Sequence, residues 1–359
     1  MARLGDVLTI RNGKNQKKVE NPNGKYPIYG SGGIMGYADD YICEANTVVI
    51  GRKGSINNPL FVETRFWNVD TAFGLCADPN KLQPKYLYYF CEKFDFEQLN
   101  TTVTIPSLTK ANLLKAEIPL PTLDEQRKIA AVLDKVSGLI AKRRQQLDKM
   151  DEMVKARFVE MFGDTVLNPY GWDKNFLGTV CDVRDGTHDS PKYYETGYPL
   201  VTSKNVTVGR IDLSDCSLIS EADYNKINER SKVDIGDIIM PMIGTVGKPV
   251  IVDIEPNFAI KNVALIKFKQ VSKVLNIYIR ALLQSDYFDD AVLNKVRGGT
   301  QKFISLGDIR KLEVLTPPIE LQNQFVTFVE QTDKSKLAIQ KSLDKLETLK
   351  KALMQEYFG

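Results

Sequence analysis

Several short stretches combine glycine with basic, hydroxyl and amide side chains. Four lie in the first third of the chain: 12–18 (NGKNQKK), 30–36 (GSGGIMG), 51–57 (GRKGSIN) and 101–110 (TTVTIPSLTK). Four lie further on: 186–192 (GTHDSPK), 202–205 (TSKN), 244–248 (GTVGK) and 297–302 (RGGTQK). Arginine and lysine pair with phosphates or guanine edges, asparagine and glutamine with adenine, and hydroxyls with either. Glycine lets a backbone come close to a ligand. The candidates for this chemistry are Lys14, Lys17, Lys18, Ser31, Arg52, Lys53, Ser55, Thr102, Thr104 and Lys110 in the first group. In the second they are Thr187, His188, Ser190, Lys192, Lys204, Asn205, Thr245, Lys248, Arg297, Thr300, Gln301 and Lys302. Solvated hairpin loops share this composition, so the architecture has to decide between the two.

Other chemistries find little support. His188 is the single histidine and has no cysteine cluster beside it, which makes it a poor metal ligand; a hydrogen bond within its loop is the expected role ahead of a base contact. Tyr86, Tyr88, Tyr89 and Phe90 are expected in a core rather than as a base-stacking platform. The chain has no GxxxxGK[ST] phosphate loop, and Gly30–Gly33 does not fit a GxGxxG dinucleotide turn. Thr316-Pro317-Pro318-Ile319 and Asn168-Pro169-Tyr170 both miss the Asn/Asp-Pro-Pro-aromatic pattern with which amino-methyltransferases hold a flipped adenine. No acidic cluster resembles a nuclease metal site. Cys43, Cys76, Cys91, Cys181 and Cys216 are odd in number and form no CxxC pair, so free thiols in a reducing cytosol are expected, not disulfides or zinc. With 48 basic and 45 acidic residues the net charge is +3, which permits local nucleic-acid patches without arguing for them. No signal peptide or membrane span is evident, and a cytoplasmic location is expected.

The elements that must position these loops come from a duplication. Residues 121–163 align with 317–359 at an offset of 196 without a gap. Identities include Pro121/Pro317, Gln126/Gln322, Leu147/Leu343, Asp148/Asp344, Lys149/Lys345, Lys155/Lys351, Ala156/Ala352, Glu160/Glu356, Phe162/Phe358 and Gly163/Gly359. Average composition would supply about two or three by accident. Upstream the match is weaker: Leu4-Gly5 with Leu177-Gly178, Asn12-Gly13 with Asp185-Gly186, Tyr26-Pro27-Ile28 with Tyr198-Pro199-Leu200, Gly54 and Pro59 with Gly244 and Pro249, and Ser107-Leu108 with Ser305-Leu306. The drifting offset requires insertions in the second copy, mostly around 203–235.

The repeated segments read as long helices. In the first, Ile129, Leu133, Val136, Ile140, Leu147, Met150, Val154 and Met161 recur in steps of four and three, with Arg143 and Arg157 in the same seam. The second keeps Phe325, Val329, Ile339, Leu343, Leu346, Leu353 and Tyr357 in frame, with Thr332, Lys336 and Lys350 as polar breaks. Each helix would run about 58 Å at 1.5 Å per residue. A single apolar stripe must be buried, and the matching stripe is the other repeat, so an antiparallel coiled coil is expected. Val48–Ile50, Leu60–Val62, Ile238–Met240 and Val250–Val252 read as strands, and Tyr86–Phe96 and Ile277–Val292 as helices. The expected class is α+β, with two domains of twisted, mostly antiparallel sheets separated by the two long helices. The expected boundaries are 1–122, helix 123–163, 164–319 and helix 320–359.

Ile118-Pro-Leu-Pro-Thr-Leu-Asp-Glu-Gln-Arg-Lys-Ile-Ala-Ala-Val-Leu-Asp134 resembles the start of the central conserved helix of type I restriction-modification specificity subunits. Asp185-Gly-Thr-His-Asp-Ser-Pro-Lys-Tyr193 with Gly197-Tyr-Pro199 resembles the start of many of their target recognition domains. The resemblance covers the whole duplicated plan; Glu320-Leu-Gln-Asn-Gln324 departs from the usual Glu-Gln pattern in the second helix. It implies a DNA-binding subunit that does no chemistry itself. Each recognition domain would read one half of a bipartite target on double-stranded DNA, mainly in the major groove, and the paired helices would set the unread spacer. Half-sites read from one face lie about 34 Å apart, one helical turn. Two methyltransferase subunits would methylate flipped adenines with S-adenosylmethionine, and restriction subunits would translocate and cut with ATP and Mg; this chain would hold no cofactor and meet no membrane. The two domains differ strongly in sequence, so an asymmetric target is expected. Two rivals stand beside this reading. A self-contained methyltransferase would bind S-adenosylmethionine alone, and a scaffold without sequence preference would bind specific and scrambled duplexes with the same salt slope.

Overall fold

In the computed structural model, which describes residues 1–100, 107–207, 209–243, 247–269, 272–292 and 303–359, the chain divides into two units. Met1–Gln145 with Ile339–Gly359 form the first, and Gln146–Ala338 the second.

The first unit runs β1 (Ala2–Arg3), α1 (Leu4–Val7), β2 (Leu8–Asn12), β3 (Tyr26–Gly30), β4 (Gly33–Ala38), β5 (Thr47–Gly51), β6 (Leu60–Val62), β7 (Trp67–Asn68), β8 (Ala72–Ala77), α2 (Pro84–Lys93), α3 (Lys110–Leu113), β9 (Glu117–Ile118) and the opening turns of α4 (Leu123–Phe162). Strands β2-β8-β5-β6 form an antiparallel sheet. Strands β4-β3-β7 form a second one, in which β3 and β7 are parallel. Strand β5 explains its own continuous apolar run. Val48 and Ile50 pack with Tyr86, Leu87 and Phe90 of α2, while Val49 faces Ile28 and Trp67. Both faces are covered, so alternation with polar residues would leave one of them unsatisfied.

The second unit repeats this plan with β10 (Asp173–Phe176), α5 (Leu177–Val180), β11 (Asp182–Asp185), β12 (Tyr198–Val201), β13 (Val206–Thr207), β14 (Arg210–Ile211), β15 (Ser217–Ile219), α6 (Glu221–Ser231), β16 (Ile238–Pro241), β17 (Val250–Ile251), β18 (Ala259–Ile260), β19 (Val263–Lys267), α7 (Asn276–Leu282), α8 (Asp286–Ala291), α9 (Leu306–Arg310), β20 (Glu313–Thr316) and α10 (Ile319–Phe358). Its sheets are β11-β19-β16-β17 and β15-β12-β18. Ile238 and Met240 face Tyr278, and Ile239 faces Val250 and Ile260, as in β5. The hairpin β13-β14 and helix α6 fill the stretch where the second copy is longer.

The duplication is most faithful at the helix starts. Gln126 is buried; its Nε2 donates to Lys81 O (3.0 Å) and Pro121 O (2.9 Å), and its Oε1 accepts from Gln83 N (2.8 Å). Gln322, also buried, donates to Lys273 O and Pro317 O (both 2.9 Å) and accepts from Leu275 N (2.8 Å). Each amide uses both of its N–H groups and one lone pair of its oxygen, and two of these three bonds tie a helix start to the turn before α2 or α7. Helix α4 also opens with a reciprocal cap between Thr122 and Glu125. Its end is stopped by Gly163 at φ 78°, with Trp172 Nε1 donating to Phe162 O at 3.1 Å.

The long helices pair antiparallel within each unit. In the first, Ile129 and Leu133 of α4 pack with Leu353, Met354, Tyr357 and Phe358 of α10, and Arg144 pairs with Glu347. In the second, Lys336 pairs with Asp151, and Phe325 lies edge-on to Phe158 and Phe162. Leu133, Val136, Ile140, Phe325, Val329 and Leu343 are buried; Ile129, Leu147, Met150, Val154, Met161, Ile339, Leu346 and Leu353 are half-buried. Phe158, Phe162 and Met354 are buried beside them because the helix ends also face sheet and α2 or α7 side chains.

Three expectations need correction. The helix expected over 86–96 ends at Lys93, where Phe94 turns extended. The one expected over 277–292 is two helices, broken where Ser285 takes an extended backbone before α8. The match of Ser107-Leu108 to Ser305-Leu306 is out of step: the residue equivalent to Ser305, whose hydroxyl caps α9, is Thr109, which caps α3. The cap needs a hydroxyl and either residue provides it.

Candidate nucleic-acid interface

Strand pairing decides which loops meet. In the first unit β2 ends with Asn12 opposite Phe73, β5 ends with Gly51 opposite Ala72, and β3 ends beside the last residue of β7, Tyr29 next to Asn68. The loops after β2, β3 and β5, and the turn before β8, therefore leave from one end of the unit. Gly13 donates its N–H to Ala72 O, and a Cβ there would lie 1.7 Å from Val69 O. A Cβ on Gly51 would meet Ser55 O at 2.3 Å and the Ser31 Cβ at 3.0 Å. These glycines are required by close approach between loops.

On this rim Lys14, Lys17, Lys18, Arg52, Lys53 and Ser55 are exposed and Ser31 is half-buried. None of the five cations makes an ion pair among the described residues. The Lys14 backbone is fixed, its N–H on Asn68 O and its carbonyl under Trp67 Nε1. Arg52 is pinned between Thr71 O and Leu108 N, with its guanidinium 5.7 Å from the Phe73 ring. Lys53 forms a bridge with Ser107, which brings in the turn before α3. Lys110 turns inward, donating to Ile10 O at 3.0 Å. Unpaired cations on fixed backbones around one sheet end make a surface suited to phosphates.

The second unit builds the same rim. Asp185 ends β11 opposite Ala264, Pro241 ends β16 opposite Val263, and Val201 ends β12 beside Ile260. A Cβ on Gly186 would lie 2.4 Å from Ile260 O, as at Gly13. Thr187 bridges Lys261, and Ser190 accepts from Lys261 Nζ at 2.7 Å. His188 places Nδ1 2.8 Å from Asn262 Oδ1 and Nε2 2.8 Å from Asp185 Oδ2. The contact with Asp185 is local to its loop, as expected, and the contact with Asn262 reaches a separate turn. Those bonds, to Asn262 first and then Asp185, hold the imidazole pKa above its ordinary value. Burial pushes the Asp185 carboxyl up, but hydrogen bonds from His188 and Arg230 outweigh it and hold the pKa low. Lys192 lies 5.5 Å from the Tyr194 ring, and Lys248 is exposed.

Asn205 departs from the expectation. It is buried, its Oδ1 accepts from Thr202 N and Oγ1, and its Nδ2 donates to Asp215 O. Its oxygen closes the 202–205 turn, its Nδ2 reaches Asp215, and its burial keeps the amide from a base edge. Lys204 beside it is exposed and reaches Asp215 at 3.5 Å. Thr102, Thr104, Thr245, Arg297, Thr300, Gln301 and Lys302 lie outside the described residues. Tyr86, Tyr89 and Phe90 are buried and Tyr88 half-buried, as core residues.

Composition did not pick out Lys261, Asn262 and Arg230, which join the second rim, or Thr71, which joins the first. Lys261-Asn262 is a glycine-free turn between two apolar strands. Asn262 itself takes φ 55°, which asparagine tolerates better than other side chains. An asparagine in a short polar break between two apolar runs was the available signal. All five cysteines are free, and no described helix is long and apolar enough to cross a membrane.

Residues 1–149 and 169–351 match the family model described as the type I restriction modification DNA specificity domain. The MjaVIII specificity subunit of Methanocaldococcus jannaschii is 24% identical over 386 residues, covering 99% of this chain and 90% of that protein. The MjaIX specificity subunit of the same organism is 26% identical over 334 residues, covering 85% and 73%. The crystal structure of an S subunit of a type I restriction-modification system from M. genitalium shares the fold, with TM-score 0.60 at 18% identity, covering 99% of this chain and 95% of that one.

Proposed function

We propose a function that proceeds from one premise: this chain belongs to the type I restriction modification DNA specificity domain family. It is a type I specificity subunit with DNA-recognition domains, a kind of subunit that recognises DNA, assembles with other subunits of its system and is not itself catalytic. Within that role, each unit reads one half of a bipartite target through its loop rim, mainly in the major groove. The observation that carries this is the recurrence, at equivalent strand ends of both units, of loops presenting cations and hydroxyls on fixed backbones. Their polar side chains differ, Ser31 and Ser55 on one rim against His188 and Asn262 on the other, which supports an asymmetric target.

The paired helices are read as the ruler that sets the unread spacer. Two methyltransferase subunits that modify adenine with S-adenosylmethionine, and restriction subunits that use ATP and Mg, supply the chemistry; this chain binds none of these cofactors. The test is methylome sequencing of cells carrying the chain with its methyltransferase partner. The expected outcome is one split, non-palindromic motif that disappears when this gene is deleted. Inserting helical residues into both long helices is expected to change spacer length and leave the half-sites alone; altered half-sites with an unchanged spacer would overturn the ruler. A chain that binds S-adenosylmethionine by itself would overturn the non-catalytic assignment.

A further inference from the structure

We propose that His188 is a positioning residue that sets which end of the Asn262 side-chain amide faces DNA, so that base preference at one position of the second half-site depends on the charge of a single ring. This rests on the reading of the loop rim as the DNA face. His188 places its two ring nitrogens 2.8 Å from two oxygens, Oδ1 of Asn262 and Oδ2 of Asp185. Both are acceptors, so in this arrangement both nitrogens carry protons and the ring is an imidazolium. Asp185 does not follow the ring when its charge changes, because Arg230 holds its other oxygen. Asn262 is fixed by its backbone, at φ 55° with its N–H on Thr187 O at 3.2 Å. Its Nδ2 has no hydrogen-bond partner among the described residues. The freedom left to it is rotation of the amide.

With the ring cationic, Oδ1 is held inward and Nδ2 is presented outward as a donor. A neutral ring keeps its proton on Nε2, facing Asp185, and Nδ1 becomes a bare acceptor. A half-turn about Cβ–Cγ then lets Nδ2 donate to Nδ1 and presents Oδ1 outward. The two ends of an amide have the same shape, so the half-turn requires no repacking. In the major groove an outward donor suits guanine O6 and N7 or thymine O4; an outward acceptor suits the amino groups of adenine or cytosine.

The charged groups around the ring are Asp185 from β11, Arg230 from α6, Lys261 from the turn before β19 and Asp189 from the same loop as the ring. The bonds to Asn262 and Asp185 raise the ring's pKa and Arg230 opposes them, so the changeover lies above an ordinary histidine. The first rim has no such device. Gly13 N–H to Ala72 O matches Gly186 N–H to Val263 O, so Asn15 and Thr71 stand where His188 and Asn262 do.

The experiment uses the full-length chain. His188 is its only histidine, so 15N-histidine labelling yields one ring to titrate. The expected midpoint lies above about 6.5, with the Asn262 amide protons shifting in step, and it falls in Asp185→Asn. Randomised duplexes are then selected at one pH below and one pH above the midpoint that this titration gives. One position in the second half-site is expected to change its base preference by about fivefold between the two selections. His188→Gln is expected to abolish that change and keep the first half-site as it was. An unchanged preference over a range in which the ring titrates, or the same change in His188→Gln, overturns the proposal. Absence of any enriched sequence at either pH overturns the rim as DNA face, and the proposal with it.

Discussion

Phe162, the last residue of α4, meets the ring of Tyr278 edge-on with centroids 4.8 Å apart. In the first unit Phe358, the last residue of α10, meets Tyr86 at 5.0 Å. The two phenylalanines occupy the same position of the repeat. Helix α4 thus begins among first-unit residues and ends in the second unit's core, and α10 does the converse.

Removing either ring is expected to loosen the unit in which the helix ends. Phe162→Ala should cost about 3–5 kcal/mol, as for a fully buried aromatic, and the half-buried Phe358 less. Hydrogen exchange is the readout. Phe162→Ala should raise exchange in α7, and Phe358→Ala in α2. The opposite pattern would contradict the assignment of helix ends.

Gln126 and Gln322 should be among the least replaceable polar residues. Gln322→Ala leaves a buried N–H and two carbonyls unpaired and should cost about 2–4 kcal/mol. Gln322→Glu turns an oxygen toward those carbonyls. Burial raises its folded-state pKa above the unfolded value of about 4.3, so its stability is best below that pH and falls as pH rises through the folded value. Chemical denaturation at several pH values checks both variants.

Cations on the rim should act without regard to sequence. Lys53→Ala and Lys14→Ala are expected to weaken specific and scrambled duplexes alike, each reducing the slope of log affinity against log salt by about 1. Lys110→Ala, whose ammonium is turned to Ile10 O, should leave the slope unchanged. Binding titrations over a salt series distinguish the two classes.

Cys76 should be the reactive thiol. The neighbouring Cys43 thiol, with Thr47 and Arg11, holds the Cys76 thiol below its ordinary value, to about 6, against burial, whereas Cys43 is pushed up by Cys76 and by burial. Burial also raises the Cys91, Cys181 and Cys216 thiols. Alkylation at neutral pH, located by peptide mass spectrometry, should fall on Cys76, with a rate that drops as pH falls through about 6.

Much of the frame was legible before any coordinates. The seam from Ile129 to Met161 and its partner from Phe325 to Leu353 could be read because helical burial has a fixed period, and a period is local. The Gln126/Gln322 identity was visible, but its role was not: the groups it satisfies, at Lys81 and Gln83 or Lys273 and Leu275, lie more than a helix away in the chain. Asn205 shows the same limit from the other side. Its composition matched a base contact, and only its burial against Thr202 and Asp215 removed it.

Residue type and spacing alone determined that the chain is duplicated, that each copy ends in a one-striped helix, and which loops carry basic, hydroxyl and amide groups. Only the tertiary structure decided that loops far apart in sequence share a rim, that Asn262 joins His188, and that each long helix ends in the other unit's core. Such pairings depend on strand register and on buried polar groups finding partners. Both are contacts between distant segments, and periodicity within a segment carries no information about them.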